Sequence, residues 1–173
     1  LDIAERHPHP KHGPLKVIGD AARACGGGYR GTKIGKKGWC TVFSFHTMKL
    51  MTTLGEGGMI TTDDPALAER LRELRQWGGK GWGSSYKMTK VQAAVGLVQL
   101  RRLDEMLGRR AALARQRSDL LADVPELTLP YEPPDCVHMP LHEVTAKPRV
   151  GAHGSFEIHD VPDGDRVERR DPH

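Results

Sequence analysis

A lysine five positions after a serine, and an aspartate closing a separate apolar run, are the residues of this chain best suited to covalent chemistry. The stretch from Phe43 to Met59 reads FSFHTMKLMTTLGEGGM, with Lys49 at its centre and Ser44 near its start. A lysine amine that is partly desolvated, or set near positive charge, is available in neutral form and can condense with a carbonyl. Asp20 supplies a carboxylate and Ser44 a hydroxyl, each at the end of a β-prone run. Singly, each has a plainer use. A lysine after a strand is commonly a solvated surface residue, an aspartate before two alanines suits a helix N-cap, and a Gly-x-Gly-Gly run marks a tight turn.

The elements that must position these residues follow from pattern. Thr41-Val42-Phe43 leads into Ser44, and the turn Gly55-Glu56-Gly57-Gly58 leads into a second β-prone run, Met59-Ile60-Thr61-Thr62. Upstream, Leu15-Lys16-Val17-Ile18 predicts a strand that ends at Gly19-Asp20-Ala21-Ala22. Ala21 to Cys25 predicts a short helix opened by Asp20, and Gly26 to Gly38 a glycine- and lysine-rich connection. Asp63-Asp64-Pro65 starts a helix, with acid at its N-terminal end and proline in its first turn. Leu67, Leu71 and Leu74 give that helix an apolar stripe, and Gly78-Gly79 should stop it. Thr89 to Asp123 is the longest helical pattern. Val91, Val95, Val98, Leu103 and Met106 trace one face, to be packed on the sheet, and Arg101, Arg102, Arg109, Arg110 and Arg115 a solvated basic one. Gly108 is the expected bend or break, and Pro125, Pro130, Pro133 and Pro134 end the helical stretch.

Composition bounds the answer. The 173 residues suffice for one domain with a sizeable core, and 38% hydrophobic with 28% charged residues is ordinary for a soluble protein. No apolar run approaches bilayer-spanning length, and the first residues lack the layout of a signal peptide. The chain opens without methionine in what reads as the middle of a helix, which suggests a fragment. The Pro- and His-rich stretch from His7 to Pro14 reads as a surface loop. Cys25, Cys40 and Cys136 are widely spaced, odd in number and fit no metal pattern, so reduced cytoplasmic thiols and no metal site are expected. A net charge of +4 suits an anionic ligand, whereas aromatics at 5% argue against a nucleic-acid-binding stripe.

Together the Asp-Ala-Ala strand end, the Ser-Phe-His-x-x-Lys segment and the Gly-Glu-Gly-Gly turn resemble the DegT/DnrJ/EryC1/StrS family of sugar aminotransferases, which use pyridoxal phosphate (PLP). A third match is Met88 to Leu100, where the family shows a Met-x-x-x-Gln-Ala-Ala-x-Gly-x-x-Gln-Leu helix. The motifs are legible from about Leu15 to Leu121. The resemblance implies that Lys49 holds the cofactor aldehyde, that Asp20 keeps the pyridine nitrogen protonated, and that Ser44 binds the phosphate. Arg23 stands where the family usually has a glutamine beside the phenolic oxygen. Ser85 and Lys87 replace the asparagine and arginine of a Gly-x-Asn-x-Arg segment whose asparagine reaches the partner subunit's cofactor phosphate. Leu50 stands where asparagine commonly follows the lysine. Dehydratases of the family carry histidine in place of the lysine, so Lys49 argues for transamination.

The implied fold is α/β: part of a fold-type-I large domain, a three-layer αβα sandwich on a mostly parallel sheet, over residues 1–107. A linker helix and the start of a small domain would follow over 108–142, and a poorly ordered tail outside the family over 143–173. In that scheme Cys136 to His142 echoes a small-domain strand, Pro140 argues against a helical metal pair of His138 and His142, and Phe156, Ile158 and Val161 make one short strand. The implied activity is transfer of an amino group, commonly from glutamate, to a nucleotide-linked keto sugar by a cytoplasmic homodimer with no membrane or nucleic-acid partner. The alternative is a truncated remnant without turnover.

Overall fold

The computed structural model describes residues 1–77, 81–124, 127–130, 133–137 and 147–148. Its elements are α1 (Asp2–Arg6), β1 (Ile18–Asp20), β2 (Gly28–Tyr29), β3 (Thr32–Lys33), β4 (Cys40–Ser44), β5 (Gly58–Thr61), α2 (Pro65–Arg75), α3 (Lys90–Arg101), α4 (Leu103–Leu121), β6 (Leu127–Thr128), β7 (Cys136–Val137) and β8 (Lys147–Pro148).

The β-prone run around Thr41 becomes the middle strand of a sheet ordered β1-β4-β5. β1 lies parallel to β4, with Ile18 opposite Cys40 and Asp20 opposite Val42. β5 lies antiparallel to β4, from Thr41 opposite Thr61 to Ser44 opposite Gly58. The sheet is therefore mixed, not mostly parallel. The reason is the connection. A parallel pair needs a crossover, whereas the 45–57 loop folds straight back, with Phe45 N–H donating to Gly57 O at 2.7 Å and Thr47 N–H to Gly55 O at 2.9 Å.

Other expectations shift for local reasons. β1 starts at Ile18, so Leu15 to Val17 precede the strand. No helix follows Asp20. Its Oδ1 accepts Ala22 N–H at 3.0 Å, and Ala24 N–H closes onto Ala21 O at 3.0 Å, so the chain turns instead. The glycine-rich connection carries a hairpin: β2 and β3 pair across Arg30 and Gly31, whose φ angles of 48° and 71° suit a two-residue turn matched to strand twist. β7 adds to the other edge of β2, fastened where Arg30 Nε meets Asp135 Oδ2 at 3.0 Å. β6 pairs with β8, so Lys147–Pro148, inside the stretch expected to be a tail, forms a strand. Residues from 149 onward, His138 to His142 and Gly78-Gly79 lie outside the described residues.

α2 begins as expected, with Asp64 Oδ1 accepting the N–H groups of Ala66 and Leu67, but it ends at Arg75. The long helical pattern breaks at Arg102 (φ −97°, ψ 1°), and Gly108 lies inside α4. The buried stripe also differs. Val91 and Val98 are exposed, whereas Gln92 reaches Glu56 O at 3.0 Å and Gly96 is buried against Thr53. A close approach to the 45–57 loop selects the residue without a side chain and the one with a hydrogen-bonding amide. Arg101, Arg102, Arg109 and Arg115 are exposed as expected, and Arg110 is half-buried.

One core cluster joins Ala21, Phe43, Phe45 and Met51, and a second joins Leu50 to Leu103 with Cys25, Met106 and Leu107 at its margin. Both draw on the 45–57 loop, which is thereby anchored at Leu50 and Met51, immediately after Lys49. Among the described residues no helix is long and apolar enough to cross a membrane.

Candidate active site

Register places two polar groups at one edge. In a parallel pair the carboxyl ends of both strands lie at the same edge, and open α/β sheets bind ligands outside those ends. β1 ends at Asp20 and β4 at Ser44. Asp20 lies opposite Val42, and Ser44 is two residues further on, so Asp20, Val42 and Ser44 share one face of the sheet. Arg23 is exposed in the turn just beyond Asp20. Lys49 is half-buried in the loop that leaves Ser44, its backbone N–H donating to His46 O at 2.9 Å.

The loop is rigidly specified. Thr53 has no exposed surface, and its Oγ1 donates to Glu56 O at 3.0 Å. The same carbonyl accepts Gln92 Nε2 from α3, whose capping box with Thr89 fixes that side chain. A side chain at Gly57 would overlap Thr53 Oγ1, one at Gly58 would meet Phe43 O at 2.9 Å, and Gly55 has φ +125°. The Gly-Glu-Gly-Gly turn is thus demanded by packing and backbone conformation. His46 completes the loop. Its Nδ1 accepts Met48 N–H at 3.1 Å, and its Nε2 lies 3.6 Å from Glu56 Oε1.

Ser85 lines a cleft of ≈ 1210 Å³ with Val42, Phe43, the 56–57 turn, β5, α2 and residues 82–88. Burial pushes the Cys25 thiol up, with Lys33 pulling it the other way, so this cysteine behaves as packing behind Leu50. Cys25 and Cys40 are free thiols, and among the described residues no cluster of three or more His, Cys, Asp or Glu side chains is arranged to hold a metal ion.

The motifs and the mixed sheet can now be set beside known proteins. A family model described as the DegT/DnrJ/EryC1/StrS aminotransferase family matches residues 3–151. The chain belongs to this family. The match reaches beyond Leu15 to Leu121 at both ends. Over 118 residues the chain is 48% identical to GDP-perosamine synthase of Caulobacter vibrioides, covering 64% of this chain and 30% of that protein. Over 140 residues it is 40% identical to dTDP-3-amino-3,4,6-trideoxy-alpha-D-glucose transaminase of Streptomyces venezuelae, covering 78% and 35%. The crystal structure of S. venezuelae DesV in complex with a ketimine intermediate superposes with a TM-score of 0.68 at 39% identity, covering 73% of this chain and 36% of that one. The chain thus spans about a third of the length of these relatives. DegT/DnrJ/EryC1/StrS aminotransferases are PLP-dependent enzymes, and their fold-type-I architecture accounts for the parallel β1–β4 pair.

Four residues at the site carried no role in the sequence reading: His46, Thr53, Glu56 and Gln92. His46 and Glu56 sit inside the first quoted motifs, and Gln92 inside the third. Their shared task, holding one loop, appears only when the three segments are brought together.

Proposed function

We propose that this chain is part of a PLP-dependent aminotransferase that moves an amino group, commonly from glutamate, to a nucleotide-linked keto sugar in amino-sugar, polysaccharide or antibiotic biosynthesis. The observation that carries this reading is the shared carboxyl-end edge of β1 and β4, from which the chain runs directly into the turn holding Lys49. The donor set suits the cofactor. Asp20 Oδ1 takes Ala22 N–H, while Oδ2 has no hydrogen bond among the described residues. Ser44 Oγ accepts only a long 3.4 Å contact from His46 N–H, leaving its own proton to donate.

When bound, PLP supplies an electron-withdrawing ring that stabilises negative charge on an attached carbon. The Asp20 carboxylate would hold a proton on the ring nitrogen, Ser44 Oγ–H would donate to the phosphate, and Arg23 would donate to the phenolic oxygen. Lys49 Nζ would tether the aldehyde and, once displaced by an incoming amine, carry a proton between the reacting carbons. Ser85 would serve the phosphate of the partner subunit in a cytoplasmic homodimer. The test is the visible absorbance of the chain mixed with PLP. A band present in the native chain and abolished in Lys49→Ala is expected; an unchanged band in the variant contradicts the assignment.

A second reading, a chain without turnover on its own, is favoured by the open sheet face. Ile18, Val42 and Ile60 are 60%, 38% and 43% exposed on the face that carries Asp20 and Ser44. Proton transfer at a reacting carbon needs groups held in register, and loss of positioning costs orders of magnitude in rate. Assay of glutamate-dependent amination over a panel of nucleotide keto sugars decides between the two: rates near those of a full-length relative exclude the second reading.

A further inference from the structure

We infer that His46, in its neutral form with the proton on Nε2, is a positioning residue for Lys49. Nδ1 accepts the Met48 N–H at 3.1 Å and so carries no proton of its own. The single proton of the neutral ring is then on Nε2, which lies 3.6 Å from Glu56 Oε1. The imidazole bridges the two ends of the loop, closing the turn into Lys49 on one side and facing the glycine-rich turn on the other. The backbone repeats the connection, because Lys49 N–H donates to His46 O at 2.9 Å. Glu56 is in turn fixed through its carbonyl by Thr53 Oγ1 and Gln92 Nε2.

Among the described residues Glu56 is the charged group against this imidazole, and α3 meets the same turn with the neutral amide of Gln92. Loss of the Nδ1 acceptor would free the Met48 N–H and with it the side-chain bond of the turn that enters Lys49. The seat of Lys49 therefore depends on an acceptor at position 46.

The role assigned rests on the proposed use of Lys49, but its test needs no cofactor, so failure to bind PLP would count against the proposed function alone. The probe is reductive methylation with formaldehyde and cyanoborohydride at pH 8, the rate at Lys49 being read by peptide mapping against exposed Lys36 and Lys37. His46→Ala removes the acceptor, and the relative rate at Lys49 should rise by about two- to tenfold, the change that loss of one turn hydrogen bond carries. His46→Asn keeps a side-chain acceptor two residues before Met48 and should hold the native rate. Long-range proton–nitrogen NMR of the native chain at pH 8 should find the His46 proton on Nε2. A proton on Nδ1, or the same relative rate in the native chain and His46→Ala, overturns the inference, and the NMR result stands even if His46→Ala fails to fold.

Discussion

Gly57→Ala should damage this protein through one neighbour, Thr53. A Cβ at position 57 would overlap Thr53 Oγ1 and lie 3.3 Å from Phe45 Cβ. Thr53 cannot swing into solvent, because it is fully buried, its Oγ1 is bonded to Glu56 O, and its methyl faces Gly96 of α3. Overpacking of this kind costs about 1–3 kcal/mol, and the threonine hydroxyl, if forced off Glu56 O, forfeits a further ~1 kcal/mol. A total near 3 kcal/mol lowers the melting temperature of a chain this size by ~6–12 °C. The decisive comparison is a double-mutant cycle by urea denaturation. Thr53→Ala removes the obstructing atoms, so Gly57→Ala in that background should cost less than ~1 kcal/mol, a coupling of at least ~1 kcal/mol. Additive costs, or a Gly57→Ala melting point within about 1 °C of native, would refute the claim that packing on Thr53 dictates the glycine.

Leu103→Ala should cost about 2–5 kcal/mol, since Leu103 is buried against Leu50 with Met106 and Leu107 alongside; a urea midpoint shift without a change in slope checks it. Thr89→Ala removes the N-cap of α3 and half of its capping box, and should cost ~0.5–2 kcal/mol by the same measurement. The Asp64 carboxyl is held below the ordinary aspartate value of 3.8, first by Leu67 N–H and next by the Trp39 indole N–H. Its folded form is thus favoured when charged. The stabilisation is present above pH 4 or so and is lost as pH falls through the lower folded value. Asp64→Asn keeps a capping acceptor but should flatten the acid limb of a plot of melting temperature against pH; an unchanged limb contradicts the assignment.

Strands β4 and β5, the start of α2 and the start of α3 were legible because each couples a strong pattern to a local stop or cap. The β2–β3 hairpin was not, because two-residue strands carry too little periodicity and Gly31 alone does not announce a turn. Asp20 signalled a helix cap, yet the same acceptor geometry closes an Asx-turn. Val91 and Val98 misled for a different reason. The helix approaches the loop too closely for a branched side chain, so Gly96 and Gln92 face inward instead. Of the residues singled out for chemistry, Asp20 and Ser44 share one face through register, Lys49 follows in the loop that leaves Ser44, Arg23 lies in the turn beyond Asp20, and Ser85 lines a cleft with β5 and α2. His46 was invisible as a contributor because its partners, Met48 N–H and Glu56, become neighbours only after the loop has closed.

The central claim is that Lys49 is the amine that takes the cofactor. Incubation of the chain with PLP, borohydride reduction and peptide mapping should place a reduced pyridoxyl group on Lys49, with Lys36 and Lys37 unmodified. A label on another lysine, with Lys49 left free, would contradict the account.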